Sequence, residues 1–168
     1  EIIFNLSADN EGIGKHQYLK SLLAQQSARC LAGYVFSGCG FGESTQDLVF
    51  AGKGFIYENG TLLAESERFS LKEQLISTEI DVERLRMERQ VNTTFAANMA
   101  RYIDTELIVP KEFKLSRSFD PSPFVPKGEA LNERCEEIFA IQTQGLAKRI
   151  VHTHAQNVVV GISGGLDS

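Results

Sequence analysis

The first 65 residues combine one helical pattern with several strand patterns. Apolar residues recur at helical spacing from Lys15 to Ala32, and Gly33 stands where a helix C-cap is expected. The pair Asn59-Gly60 is typical of a two-residue hairpin turn. Short apolar runs predict strands at 1–6, 34–37, 49–50, 55–57 and 61–65. Together these patterns predict an α/β layer that ends in antiparallel strands.

A second group of patterns follows this layer. Residues 75–80 alternate well enough to predict one more strand, and Asp81 is the expected N-cap of a helix over 82–91. The four prolines of the chain all fall within residues 110–126, which favours an extended linker and a domain boundary there. Beyond the linker, helical spacing of apolar residues over 131–150 precedes a strand pattern at 157–162. A second α/β domain is therefore expected to begin after the linker.

The two ends of the chain predict a piece of a longer protein. Glu1 leads directly into a strand pattern, and the last strand pattern leads into a glycine-rich turn that ends the sequence. A turn of this kind binds an anion when a helix follows it, because the helix N-terminus supplies free N–H groups. We therefore expect residues before Glu1 and a helix after Ser168.

Composition and net charge exclude several classes of function for this chain. The 168 residues are 42% hydrophobic and 23% charged, which is enough for a buried core. The net charge of −5 argues against nucleic acid as a general partner, and no apolar run approaches the roughly 20 residues of a membrane span. Three cysteines, Cys30, Cys39 and Cys135, show no disulfide or metal-ligand spacing, so we expect a reducing, cytoplasmic compartment.

The glycine-rich turn at the end of the chain, GISGGLDS, allows three interpretations. A Walker A loop requires a lysine that is absent here. A nucleophile elbow matches formally and would make Ser163 the nucleophile of a serine hydrolase. In the third interpretation the glycines let the backbone surround an anion, two serine hydroxyls donate to it, and Asp167 holds a magnesium ion. That pyrophosphate cradle would consist of Gly161, Ile162, Ser163, Gly164, Gly165, Leu166, Asp167 and Ser168.

The third interpretation agrees with a family resemblance. The motif SGGLDS after an apolar strand resembles the signature of the N-type ATP pyrophosphatases. Nearly the whole chain resembles the glutamine-dependent NAD synthetase family, through NLSADNEGIGK, QSARCLAGYVFSG, FGESTQDLVF, YENGTLLAESERF, PFVP and EEIFAIQTQGLAKRI in that order. The resemblance implies a nitrilase-like α-β-β-α glutaminase, represented by its C-terminal part at 1–109, and a linker at 110–126. Residues 127–168 would begin a parallel-sheet ATP pyrophosphatase domain.

The resemblance also implies a ligase reaction that uses ATP, Mg²⁺, deamido-NAD and glutamine. The carboxylate of deamido-NAD would attack the α-phosphate of ATP, and ammonia from glutamine would then displace AMP from the adenylate. Gly161 to Ser168 would bind the ATP phosphates, with Asp167 as the magnesium ligand. A homo-oligomer is expected on the same basis.

The glutaminase half offers substrate contacts but no catalytic group. The Glu, Lys and Cys of nitrilase-like sites precede the segment that matches Glu1, so we expect no catalytic residue on this chain and no activity of the fragment alone. Asp9 and Lys15 match family positions that contact glutamine. A solvated loop acid and a first-turn helix lysine explain the same two residues equally well. A non-catalytic nitrilase-like interaction module is therefore an alternative to an enzyme.

The remaining reactive side chains suggest no further site. Cys39 follows a strand in a glycine-rich loop, yet no histidine or lysine is placed beside it in sequence to activate its thiol. Cys30 and Cys135 lie on predicted apolar helix faces, where cysteine is usually a small hydrophobe. The three histidines, His16, His152 and His154, lack metal-ligand spacing and are expected at the surface.

Overall fold

A computed structural model of the chain describes residues 1–43, 48–92, 94, 103–106, 112, 114–122, 125, 127–128 and 131–166. The chain divides into two compact units, Glu1–Ser118 and Phe119–Ser168. Its elements are β1 (Ile2–Ser7), α1 (Lys15–Cys30), β2 (Gly33–Gly38), β3 (Gly54–Glu58), β4 (Thr61–Glu65), α2 (Val82–Val91) and α3 (Leu131–Thr153). The predicted mixed α/β class is confirmed. Among the described helices, none is both long enough and apolar enough for a bilayer crossing.

The first unit is built on one four-stranded sheet in the order β1-β2-β3-β4. β1 and β2 are parallel and joined by α1, whereas β2, β3 and β4 pair antiparallel. The predicted hairpin turn between β3 and β4 is confirmed, because Asn59 and Gly60 both have positive φ, 44° and 85°. A Cβ atom on Gly60 would lie 3.2 Å from Cβ of Ala28, so the turn also packs closely on α1.

The hydrophobic core lies between α1 and one face of this sheet. Leu19 and Leu23 of α1 pack against three aromatic residues, Phe36, Phe55 and Tyr57. The Phe36 and Tyr57 rings lie 6.1 and 6.2 Å from the Phe55 ring, in tilted arrangements that favour aromatic pairs. This core fixes the position of α1, and therefore of its first residues, over the sheet.

The end of α1 corrects one expectation. The left-handed residue after the helix is Leu31, with φ 44°, and not Gly33, which belongs to β2. Gly33 is required for a different reason, since a Cβ atom there would lie 2.8 Å from Cδ1 of Ile80. The buried Ser27 hydroxyl closes the helix end by donating to the Ala32 carbonyl at 2.7 Å, and it accepts the Gly60 N–H at 3.2 Å.

Two predicted strands of the first unit are wrong. Residues 49–50 and 75–80 belong to no strand. A Cβ atom built on Gly33 would lie 2.8 Å from the Ile80 side chain, and one on Gly54 would lie 3.3 Å from the Ile76 side chain, so these two isoleucines pack over glycines of the sheet. This packing, rather than ladder hydrogen bonding, explains the apolar alternation. The prediction of α2 is confirmed, and the Asp81 carboxylate accepts the Arg84 N–H at 2.9 Å as an N-cap.

The second unit contains the predicted long helix but not the predicted strand. α3 forms as expected and none of its side chains is buried. Residues 157–162 are exposed and belong to no strand, so the prediction of a strand there is wrong for this chain. A strand needs a neighbour to accept and donate its backbone hydrogen bonds, and the described residues of this unit include no other strand.

Candidate functional site

The loop between β1 and α1 is fixed at several points. It leaves the sheet at Ser7 and enters α1 through Gly14, whose φ of 78° suits glycine. The backbone N–H of Glu11 donates to the Val49 carbonyl at 2.7 Å, which ties the loop to the segment that precedes β3. The loop thus stands beside the ends of β1 and β2 with a defined path.

The structure brings Asp9 and Lys15 together, the two residues that the resemblance assigns to glutamine contact. Nζ of Lys15 lies 2.6 Å from Oδ1 of Asp9. The same ammonium donates to the backbone carbonyl of Asn10 at 2.8 Å and to its side-chain oxygen at 3.0 Å. An ammonium has three donors, and these three contacts match that number.

A third residue of this site, Lys53, was not predicted from the sequence. Its side chain is only 1% exposed, and its Nζ lies 2.9 Å from Oδ2 of Asp9 and 3.7 Å from Oε2 of Glu11. Arg68 follows, with Nε 4.0 Å from the same Glu11 oxygen. These contacts form a series of alternating charges, which we call the ion-pair series: Lys15, Asp9, Lys53, Glu11 and Arg68.

No local signal in the sequence marks Lys53. It stands between two glycines ahead of β3, and lysine is a residue type that is almost never fully buried unless it is paired. Its partner Asp9 is 44 positions away. The pairing of β1 with β2, and of β2 with β3, places residue 53 next to the end of β2 and near Asp9.

The lysines keep Asp9 ionised. Partial burial works to raise the pKa of the Asp9 carboxyl, but hydrogen bonds from Lys15 and Lys53 outweigh that effect and hold the pKa below its ordinary value. The ion-pair series contains three cations and two anions, so it carries one net positive charge. A net positive charge favours a ligand that carries a carboxylate.

A cavity of about 390 Å³ opens beside Asp9 and Lys15. Its apolar wall comes from α1 and β2, including Leu19, Leu23 and Phe36. Polar groups line the rest, and Nδ2 of Asn5 donates to the Tyr34 hydroxyl at 3.0 Å within it. Cavities of a few hundred Å³ with a few convergent polar groups are typical of small-molecule sites.

The second candidate site is the glycine-rich loop at the end of the chain. Residues 161–166 have no regular secondary structure and are exposed, and Asp167 and Ser168 lie outside the described residues. Gly164 has φ 88°, and the Gly165 N–H donates to Oγ of Ser163 at 3.4 Å. The positive φ and the serine hydroxyl are features that an anion-binding turn uses. Among the described residues, no cluster of three acidic, His or Cys side chains could hold a metal ion.

Three further reactive side chains, Cys39, His16 and Cys135, are also described by the structure. Burial, followed by the Glu43 carboxylate, raises the pKa of the Cys39 thiol, which is opposite to what a nucleophile needs. The expectation that His16 lies at the surface is wrong. Its Nε2 lies 3.2 Å from Oε1 of Glu65, and its ring centroid lies 5.7 Å from that of Phe55. Burial and the nearby Arg68 lower the pKa of His16. Cys135 is exposed on α3 rather than buried.

Sequence comparison relates the whole chain to one group of proteins. It is 40% identical over 178 aligned positions to the glutamine-dependent NAD(+) synthetases of Mycobacterium bovis and Mycobacterium tuberculosis, and 39% identical over 180 to that of Mycobacterium leprae. Each alignment covers 99% of this chain and 26% of the relative. The resemblance stated from the motifs is confirmed, and the chain spans about a quarter of the length of these relatives.

Two further comparisons complete the findings. No family model matches the chain. Among solved structures, a glutamine-dependent NAD(+) synthetase from Cytophaga hutchinsonii matches with a TM-score of 0.39 and 22% identity, over 42% of this chain and 15% of that chain.

Proposed function

We propose that this chain is part of a glutamine-dependent NAD(+) synthetase, and that it contributes to both substrate sites of that enzyme. The observation that carries the proposal is the 40% identity to such synthetases over 99% of the chain. Residues 1–109 then belong to a nitrilase-like glutaminase, 110–126 to a linker and 127–168 to the start of an ATP pyrophosphatase domain.

The glycine-rich loop serves ATP in this proposal. The deamido-NAD carboxylate attacks the α-phosphate of ATP, and the bond to pyrophosphate breaks. Backbone N–H groups at Gly164 and Gly165, together with the Ser163 hydroxyl, hold the departing pyrophosphate, because fixed donors stabilise charge that develops as the bond breaks. Asp167 would hold a magnesium ion that neutralises part of this charge. Ammonia then attacks the acyl adenylate, and AMP leaves.

The loop after β1 serves glutamine. The Lys15 ammonium attracts the α-carboxylate of glutamine, and the ionised Asp9 accepts a hydrogen bond from its α-ammonium group. Two observations support this assignment: the paired atoms lie 2.6 Å apart, and the adjoining cavity of about 390 Å³ has room for an amino acid. The nucleophile that releases ammonia lies outside this chain.

The stoichiometry of the complete protein tests this function. With deamido-NAD, ATP, Mg²⁺ and glutamine, the protein containing this chain is expected to form NAD(+), AMP and pyrophosphate in equal amounts, and ammonium should replace glutamine. Formation of ADP and phosphate, or no NAD(+) from either nitrogen source, would overturn the proposal. Covalent labelling of Ser163 by a fluorophosphonate would favour the serine hydrolase instead.

The proposal also covers the cellular location and the assembly of the enzyme. A cytoplasmic location fits the three free cysteines, since thiols stay reduced there. We also propose a homo-oligomer, with no nucleic acid or membrane partner. Size-exclusion chromatography with light scattering checks the oligomer, and a monomeric complete protein would contradict it.

A further inference from the structure

Lys53 is the most deeply buried charge of the ion-pair series. Its side chain is 1% exposed, whereas those of Asp9 and Lys15 are 23% and 32% exposed. The backbone of Lys53 is fixed to the sheet, because its carbonyl accepts the Gly38 N–H at 2.8 Å. A buried ammonium is costly unless it is paired, and Lys53 has Asp9 at 2.9 Å and Glu11 at 3.7 Å. It therefore anchors the loop after β1 to the sheet.

Each carboxylate oxygen of Asp9 has its own lysine partner. Oδ1 faces Lys15 at 2.6 Å, and Oδ2 accepts a hydrogen bond from Lys53 at 2.9 Å. Holding both oxygens fixes the orientation of the carboxylate, and with it the position of the Lys15 ammonium. Lys53 itself is absent from the lining of the cavity beside Asp9 and Lys15. The short contact that joins Lys53 to the lining of that cavity is the one with Asp9.

We propose that Lys53 is a positioning residue for glutamine recognition, acting by holding Asp9 and, through it, Lys15 in the orientation that the amino-acid end of glutamine requires. The inference rests on the proposed function of the Asp9 and Lys15 cavity. Anchoring the loop does not by itself require a lysine, because well-packed apolar side chains often replace buried ion pairs at little cost in stability.

The test compares two nitrogen sources in the complete protein. Lys53→Met removes the charge and nearly keeps the volume. It is expected to raise the KM for glutamine about tenfold, because a misplaced contact weakens binding, while ammonium-driven NAD(+) formation changes less than about twofold. Lys53→Arg keeps the charge and is expected to limit the rise to about threefold. Lys53→Gln, a neutral variant that keeps a polar side chain, is expected to fall between them.

A double variant separates positioning from general damage. In a Lys15→Met background the glutamine KM is already high, and Lys53→Met is expected to add less than about twofold, since its effect passes through Asp9 and Lys15. Lys20→Met is the matched control, because Lys20 lies on the same helix, pairs with Glu65 at 2.6 Å and is absent from the lining of the cavity. Its glutamine KM should equal that of the unmodified protein.

Three results would overturn the inference: an unchanged glutamine KM in all three Lys53 variants, an equal rise in both backgrounds, or a matching loss of ammonium-driven activity. A failure of the proposed function is recognised separately, because the unmodified protein would then form no NAD(+) from either nitrogen source.

Discussion

The two candidate sites of this chain are built in opposite ways. In the loop after β1, charged side chains from three segments meet, and the Lys53–Asp9 pair joins positions 44 residues apart. In the glycine-rich loop, eight consecutive residues carry the whole motif, and the six that the structure describes are exposed. The first site is an assembly of distant residues with defined distances. The second is a local motif whose geometry depends on what surrounds it.

The same difference separates the two units. In the first unit Leu19, Leu23 and their aromatic neighbours form a buried core, whereas α3 of the second unit has no buried side chain. Burial of apolar surface is the main favourable term in folding. We therefore expect the first unit to be the more stable of the two.

The largest predicted effect concerns the local motif. Asp167→Ala in the complete protein is expected to reduce NAD(+) formation at least about 100-fold with glutamine and with ammonium, since a charge-stabilising group at the reacting phosphate is lost. Hydrolysis of glutamine to glutamate is the control and should be retained. Full NAD(+) formation by this variant would remove Asp167 from the ATP site.

The next prediction compares the two units by stability. Leu85 is completely buried, and Leu85→Ala is expected to lower the free energy of unfolding of this chain by about 3 kcal/mol. Leu146 is 59% exposed on α3, so Leu146→Ala should cost less than about 0.5 kcal/mol. Urea unfolding followed by circular dichroism measures both. Equal losses would show that α3 is packed as firmly as α2 of the first unit.

A smaller effect is expected at a pair of glycines. Gly60→Ala should cost about 1–2 kcal/mol, because φ is 85° and the new Cβ would lie 3.2 Å from Ala28. Gly145→Ala meets no atom within 4 Å, and it should raise the helix content of α3, since alanine is the better helix former by about 1 kcal/mol. Circular dichroism during urea titration separates the two. A stabilised Gly60→Ala variant would contradict the turn geometry.

The smallest predicted effect concerns how the stability of the folded chain depends on pH. The pKa of Asp9 is lowered in the folded chain, so its contribution to stability is complete above its ordinary pKa near 3.8 and disappears as the pH falls through the lower folded value. Asp9→Asn should flatten the stability curve in that acidic range. Asp120, whose pKa is lowered by hydrogen bonds from Lys127 and the Ser122 backbone, is the exposed control of the second unit. Asp120→Asn should change the curve less than Asp9→Asn, and the reverse order would contradict this comparison.

The sequence predicted local features well. The Asn59-Gly60 turn, the Asp81 N-cap and the three helices all form where patterns of neighbouring residues placed them. Each depends on residues a few positions apart, so a single sequence contains the necessary signal. The glycine-rich motif belongs to the same class, and its role in ATP binding remains a prediction.

Features that depend on distant residues were missed. Lys53 gives no local sign of burial, because its partners lie on another loop. The alternation at 75–80 looked like a strand, but Ile76 and Ile80 use it to pack over Gly54 and Gly33. The apolar run at 157–162 predicts a strand, and that prediction is wrong because the described residues of its unit include no strand to pair with. In each case the deciding contact is absent from the local sequence.

The most direct test of the division between the two sites is the ratio of glutamine-driven to ammonium-driven NAD(+) formation in the Lys15→Met variant of the complete protein, measured at subsaturating glutamine. If the loop after β1 binds glutamine and the glycine-rich loop binds ATP, this ratio falls at least about tenfold while the ammonium-driven rate stays near that of the unmodified protein. An unchanged ratio would contradict the assignment of the loop after β1 to glutamine.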